Sequence, residues 1–472
     1  MEPVRFAQVI AWTGGVLLRG EEDLLLTSVS TDSRTLVEGA CFIPLIGARF
    51  DGHDFLEEAA RKGARSALIE EGRAWSHLPL AVAAVADTTR ALTDLARGYR
   101  MQFDVPVVAV TGSNGKTTTK EMIAAILRRS RPVLATEKNY NNEIGLSHTL
   151  LRMERAHRAV VVEMGMRGQG QIALLASIAR PTVGVVTNVG PVHLEQLGSV
   201  DAVAEAKAEL VEALEPDGWA VLNADDPRVA AMAAKTVARV ITFGLSDSAQ
   251  VRAEDVRLDR QGRARFLLRS SEGAVRVELR VPGRHSVMNA LAAAAAALAL
   301  GAGLEDVASG LAEAEGGEMR MEMVRLGAGI RLLNDAYNAS PLSMRAALDT
   351  LAALEAERKV AVLGDMLELG KFSAEAHREA GRRAAAAGVE LLITVGKQAR
   401  ETAAGAVEAG LDQERVLGCE TAEEAAEECA ARVRPNDLVL LKGSRGVRLE
   451  RVAEALLRRF GHDVDEGSDA AR

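Results

Sequence analysis

At 472 residues the chain is too long for one compact core, so roughly two to four domains are expected. With 48% hydrophobic and 26% charged residues it reads as a soluble globular protein, and a formal charge of −9 argues against a nucleic-acid partner, which requires a basic face. Cys41, Cys419 and Cys429 have neither metal-ligand nor redox spacing and suggest core fillers in a reducing compartment; no secretion-type leader opens the chain, and its most apolar segment, 290–300, is shorter than the roughly twenty residues of a membrane span, so a cytoplasmic protein with no membrane span is expected.

Residues 1–100 alternate short apolar strand candidates at 28–31, 40–45, 66–69 and 80–85 with helical stretches at 54–62 and 87–100, the pattern of a small mixed α/β domain. It carries Thr31-Asp32-Ser33-Arg34 and, after Phe42, a run through Gly47, Arg49, Asp51, Gly52 and His53. Polar residues at strand ends beside glycines suit a diphosphate gripped by backbone amides and Arg34, while each stretch alone reads as a solvated turn.

The stretch 107–120, VVAVTGSNGKTTTK, is the sharpest signal in the chain. A β-branched run stops at Thr111-Gly112-Ser113-Asn114-Gly115, and Lys116 opens a segment whose apolar Met122, Ile123 and Ile126 fall near helical spacing. A strand, a glycine loop and a helix start aim backbone N–H groups at phosphate oxygens, with Lys116 reaching the β- and γ-phosphates and the Thr117 hydroxyl holding Mg²⁺. Strand candidates at 159–164, 182–188, 219–223 and 240–243 alternate with helices, so the central stretch 101–315 reads as a doubly wound parallel sheet with ligands at the carboxyl ends of its strands. Those ends carry Glu163, a carboxylate suited to an ion on Thr117, and Thr187-Asn188, which lead to His193.

Lys207 lies among alanines and acids in the helical segment 200–214 and is, on composition, a solvated helix lysine. Asn142, in Asn139-Tyr140-Asn141-Asn142-Glu143, reads as a helix N-cap, and Asn223-Ala224-Asp225-Asp226-Pro227 as a polar turn. Alternation over 251–281 predicts antiparallel hairpins appended to the parallel sheet, after which Pro282-Gly283-Arg284-His285-Ser286-Val287-Met288-Asn289 opens an alanine-rich helix. Gly316 and Gly317 mark the next boundary. Strand candidates at 331–334, 360–363, 391–395 and 438–441 alternate with helices at 343–356, 374–387, 422–432 and 447–460, a second doubly wound domain whose acidic tail, 463–472, is expected to be disordered. Its loops include Asp335-Ala336-Tyr337-Asn338-Ala339-Ser340-Pro341, Gly364-Asp365-Met366-Leu367-Glu368-Leu369-Gly370, the turn with His377, and Lys442-Gly443-Ser444-Arg445.

Only Ser113 and Asn114 separate Gly112 from Gly115, closer than the four-residue spacing of the common phosphate loop. This form, T-G-S-N-G-K-T-T, resembles that of the Mur ligase family, which joins amino acids or peptides to a nucleotide-linked sugar, and of the related folylpolyglutamate synthetases. With the loops of the other two domains, the resemblance extends from Asp32 to Arg445. It implies an α/β protein of three domains: 1–100 binding the uridine nucleotide, 101–315 binding ATP, and a Rossmann-like 316–472 bringing the amine. It implies ATP on Gly112, Ser113, Asn114, Gly115, Lys116, Thr117 and Thr118, with Asn289 at the adenine and Arg320 joining when the domains close. One Mg²⁺ is implied near Thr117 and Glu163 and a second near His193 and Lys207, the lysine carrying CO₂ as a carbamate. Ser33, Arg34, Arg49 and Asn142 are assigned to the UDP-linked substrate, and Asn338 and Ser340 to the amine. Ser286 stands where the family has asparagine, which leaves Asn289 as the match for the adenine contact.

Amide formation from a carboxylate is uphill in water, so the carboxyl oxygen must first become a leaving group. A phosphate loop with Mg²⁺ permits the carboxylate to attack the γ-phosphorus of ATP, giving an acyl phosphate that an amine then opens. Lys116, Lys207, His193 and Asp335 are the residues expected to serve this catalysis. Alanine at Asp335 is expected to reduce ligation far more than folding. The Asp-Asn-Pro-Arg motif of family members that add the third residue is missing, and Asn338-Ala339-Ser340-Pro341 matches the dipeptide-adding members. The expected substrates are therefore UDP-N-acetylmuramoyl-tripeptide and D-alanyl-D-alanine, handled by a monomer. A ligase adding the third residue, a folylpolyglutamate synthetase-like ligase and a non-catalytic nucleotide-binding regulator are the alternatives.

Overall fold

Strands covered by helices on both faces have no polar side and read as continuous apolar runs. Val107–Thr111 and Ala159–Glu163 are of this kind, every residue of both being buried. The computed structural model describes residues 1–75 and 78–462, so the tail expected to be disordered lies outside the described residues.

The central 9-stranded sheet runs, edge to edge, Gly273–Pro282, Arg263–Ser270, Val251–Leu258, Arg239–Gly244, Trp219–Asn223, Val183–Val186, Val107–Thr111, Ala159–Glu163 and Val133–Ala135. Its strands are parallel from Val133–Ala135 through Val251–Leu258, and the last two add the expected antiparallel ribbon. Val107–Thr111 lies between Ala159–Glu163 and Val183–Val186, so the chain leaves it at the point where strand order reverses, and a crevice opens there beyond the carboxyl ends. The alanine-rich helix His285–Ala299 covers one face, with residues 289–298 all buried.

A 5-stranded sheet, Val16–Arg19, Ala81–Val85, Ser66–Glu70, Cys41–Phe42 and Val29–Ser30, forms the N-terminal unit. A 6-stranded sheet, Glu322–Arg325, Arg331–Asp335, Asp437–Lys442, Arg358–Gly364, Val389–Val395 and Val416–Cys419, forms the C-terminal unit and is parallel except for its first strand. Apolar side chains on one face of the central sheet pack into a cluster shared with the C-terminal unit, and those on the other into a cluster shared with the N-terminal unit. All three cysteines are buried and unpaired, as core fillers should be.

Candidate active site

One cavity of about 1690 Å³ runs between the three units. Its wall combines the N-terminal stretch around Thr31 and Asp32, the loop Ser113–Lys116 with Glu163, His193, Lys207 and Asn289, and from the C-terminal unit Arg320, Asp335, Asn338, Ser340, Glu368 and Lys442. Gly112 and Thr117 are not part of that wall.

The phosphate-loop geometry follows from its glycines. Gly112 has φ +147, and a Cβ there would stand 1.9 Å from Thr187 Oγ1; Gly115 has φ +81, and a Cβ would stand 2.2 Å from Asn289 Oδ1. Bare backbone is therefore required at both positions, and Asn289 is pressed against the loop. Gly115 precedes the helix Lys116–Arg128, so the first-turn N–H groups of Lys116, Thr117 and Thr118 lack intrahelical acceptors. The loop is pinned from the neighbouring strand end: Ser113 N–H donates to the Asn188 carbonyl (2.9 Å), Asn114 N–H to Asn188 Oδ1 (3.0 Å), and Thr187 Oγ1 to the Asn114 carbonyl (2.6 Å). Asn114 Nδ2 is buried with no hydrogen-bond partner among the described residues, an unused donor on the loop. Lys116 Nζ folds back onto the Gly112 carbonyl at 2.8 Å, and burial lowers its pKa against the pull of Glu163.

Thr117 donates its hydroxyl to Glu163 Oε2 (2.6 Å), and Asn141 Nδ2 donates to Oε1 (2.7 Å). Burial raises the Glu163 pKa, but the Lys116 and Arg320 cations and these two hydrogen bonds outweigh it, so the carboxyl lies below the ordinary glutamate value. Lys207 does not behave as the composition of its helix suggested. It is 2% exposed, because Val203, Ala206, Leu210 and Val211 turn inward on the same face of Val200–Glu212. Burial, with repulsion from Lys116 second, drops its pKa well below that of an ordinary lysine. His193 pairs through Nδ1 with Glu368 Oε2 at 2.5 Å, and burial lowers its pKa against that carboxylate.

The C-terminal unit meets the loop directly. Ser340 Oγ donates to Asn114 Oδ1 (2.8 Å) while also capping the helix Pro341–Ala353. Arg320, flanked by Met319 and Met321 in left-handed conformation, stacks over the Tyr337 ring at 4.0 Å. Asp335 accepts from Lys442 Nζ (2.5 Å) and from Met321 N–H (3.1 Å), and Asn338 offers its carbonyl to Lys442 (3.0 Å).

Other residues named from the sequence lie apart. Ser33, Arg34 and Arg49 do not line the cavity: Ser33 Oγ donates to Glu58 (3.1 Å), Arg34 chelates Asp32, and Arg49 is exposed. Asn142 does line it and also caps the helix Glu143–Leu150 through Gly145 N–H. Asp225 and Asp226 accept backbone N–H groups, the polar turn expected, and Ser286 spends its hydroxyl on the Pro282 carbonyl. Lys442, Glu368, Asn141 and His148, which meets Thr31 Oγ1 at 2.9 Å, were not singled out as site residues. The first three stood in loops already flagged; His148 carried no local signal.

Among the described residues no group of three or more His, Cys, Asp or Glu is placed to hold a metal. Magnesium needs few protein ligands when phosphate and water supply the rest, and the Thr117–Glu163 oxygen pair beside the loop fits that requirement. No described helix is long and apolar enough to cross a membrane.

Comparison with known proteins agrees with this architecture. Family models described as "Mur ligase family, catalytic domain", "Mur ligase middle domain" and "Mur ligase, glutamate ligase domain" match residues 25–102, 110–297 and 319–445. The chain is 37% identical over 438 residues to the UDP-N-acetylmuramoyl-tripeptide--D-alanyl-D-alanine ligase of Bacillus subtilis, covering 92% of this chain and 94% of that one. Crystal structure I of MurF from Acinetobacter baumannii superposes with a TM-score of 0.89 at 33% identity, covering 97% of this chain and 99% of that chain. MurF from Thermotoga maritima, crystallised in complex with ADP, does so with a TM-score of 0.81 at 30% identity over 92% and 97%. The chain belongs to the Mur ligase family.

Proposed function

We propose that the protein is an ATP-dependent, ADP-forming ligase that joins D-alanyl-D-alanine to UDP-N-acetylmuramoyl-tripeptide in cytoplasmic peptidoglycan precursor synthesis. The observation that carries this reading is a cavity in which a phosphate loop, a buried carboxylate and the edges of two further α/β units meet. The activity of the full-length relatives supports the choice of substrates.

In this reading the triphosphate lies along Gly112 to Thr118, held by the free first-turn N–H groups, with Lys116 leaving the Gly112 carbonyl for the terminal phosphates. Asn289 contacts the adenine, and Arg320 and Asp335 meet the nucleotide from the C-terminal unit. Units 1–100, 101–315 and 316–472 divide the uridine nucleotide, ATP and dipeptide between them. At the uridine end Asn142 serves from the cavity wall, while Ser33, Arg34 and Arg49 lie off that wall and would serve only once Arg34 leaves Asp32 and Ser33 leaves Glu58; Asn338 and Ser340 serve the dipeptide. The acceptor carboxylate attacks the γ-phosphorus, ADP leaves, the dipeptide amine attacks the acyl carbon, and phosphate departs. The docked C-terminal unit excludes the water that would hydrolyse the acyl phosphate.

Thr117 and Glu163 would hold one Mg²⁺, and His193 with a carbamate on Lys207 a second. Bound there, magnesium neutralises the repulsion between carboxylate and phosphate. Burial that holds the Lys207 pKa well below the ordinary lysine value disfavours the ammonium and so favours the uncharged amine that CO₂ addition requires, which supports the carbamate.

The test is ADP release measured with each substrate alone and with both. Release tied one-to-one to a pentapeptide product is expected; release that needs neither substrate, or none with both, would instead identify a nucleotide-binding regulator.

A further inference from the structure

We propose that Glu368 is a positioning residue through which docking of the C-terminal unit fixes the His193 ring. The inference rests on the ligase reading above. Glu368 stands in a loop braced from inside its own unit: Met366 N–H donates to His377 Nε2 (2.9 Å) and Leu367 N–H to Ser444 Oγ (2.9 Å). From that base its side chain crosses to the central unit, where Oε2 meets His193 Nδ1 at 2.5 Å. A backbone contact runs alongside, Glu195 N–H donating to the Glu368 carbonyl at 3.3 Å.

Both partners sit in left-handed backbone, His193 at φ 53 and Glu368 at φ 63. Non-glycine residues hold that conformation when their surroundings over-determine it, and here one such residue stands on each side of a single interface. The pair is not core packing, since the side chains are 26% and 31% exposed along the cavity wall.

An imidazole whose Nδ1–H is held by a carboxylate has its tautomer and ring plane set, which leaves Nε2 as the lone-pair donor. In most histidine sites that carboxylate is a fixed neighbour. Here it arrives from 175 residues away in another unit, so His193 acquires its orientation only when the two units dock. Readiness of the His193 side is thereby tied to the closed arrangement that excludes water.

The test compares wild type with Glu368→Gln, which keeps the length and loses the charge. Mn²⁺ binding is followed by electron paramagnetic resonance with a non-hydrolysable ATP analogue and the UDP-linked tripeptide present, alongside kcat, KM and the melting temperature. One of two bound Mn²⁺ ions should weaken by roughly 10- to 100-fold and kcat fall by a similar factor, with KM for ATP and the melting temperature nearly unchanged. Unchanged Mn²⁺ binding overturns the proposal whether or not kcat falls, as does a wild type that holds a single ion. Wild-type turnover is measured separately, so failure of the ligase reading is distinguishable from failure of this one.

Discussion

Asp335 and Lys442 form a buried ion pair at 2.5 Å, joining the ends of adjacent parallel strands, with Lys442 only 1% exposed. This changes what alanine at Asp335 should do. Removing the carboxylate strands a buried cation, at a cost of about 3–5 kcal/mol, so Asp335→Ala is expected to lose stability as well as ligation. Adding Lys442→Met should recover most of the stability and none of the turnover. Denaturant melts and ADP release on both variants check this.

Glu163 is a sharper probe because glutamine can keep its contacts. The amide oxygen accepts from Asn141 and the amide nitrogen donates to Thr117 Oγ1, while the charge disappears. Glu163→Gln should reduce kcat by roughly 100- to 1,000-fold with little change in melting temperature. The same lowered pKa predicts that the carboxylate's contribution in wild type persists until pH falls below the ordinary glutamate value.

Lys207 should trade stability for function. Between its lowered pKa and the ordinary lysine value the unfolded chain binds a proton that the folded chain does not, so stability rises with pH through that window. Lys207→Met should flatten that rise and gain up to about 1.4 kcal/mol at neutral pH for each unit of lowering, while abolishing ligation. Urea melts of bicarbonate-free protein from neutral to alkaline pH measure the first effect. For the second, bicarbonate-free wild type should lose activity and regain it on adding bicarbonate.

The glycines of the chain are not equivalent. Alanine at Gly112, at φ +147, must displace Thr187 and break its hydrogen bond to the Asn114 carbonyl; at Gly14, φ +64, a Cβ meets nothing within 4 Å. Gly112→Ala should cost about 3 kcal/mol and nucleotide binding, and Gly14→Ala about 1 kcal/mol and no binding. Thermal melts with and without ADP separate the two.

What was legible in the sequence was what a local pattern encodes. Buried parallel strands announced themselves as apolar runs, and the phosphate loop as a strand, two glycines and a lysine. Helix Phe6–Thr13 and strand Val133–Ala135 went unread, the second being a three-residue edge strand without alternation. Helix Ala399–Glu408 buries only Ala399, Thr402, Gly405 and Ala406, small side chains that leave no apolar stripe in the sequence. Composition alone hides the burial of Lys207, although Val203 and Leu210 place it on an apolar helical face. Lys442 with Asp335 and Glu368 with His193 were out of reach, because their partners lie 107 and 175 residues away and only the packed units bring them together.

In the proposed reaction the acceptor carboxylate takes the γ-phosphoryl group before the amine attacks the acyl carbon. With ¹⁸O in that carboxylate and both substrates present, one labelled oxygen per turnover should appear in the released phosphate. Phosphate free of label, with the pentapeptide product formed, would contradict it.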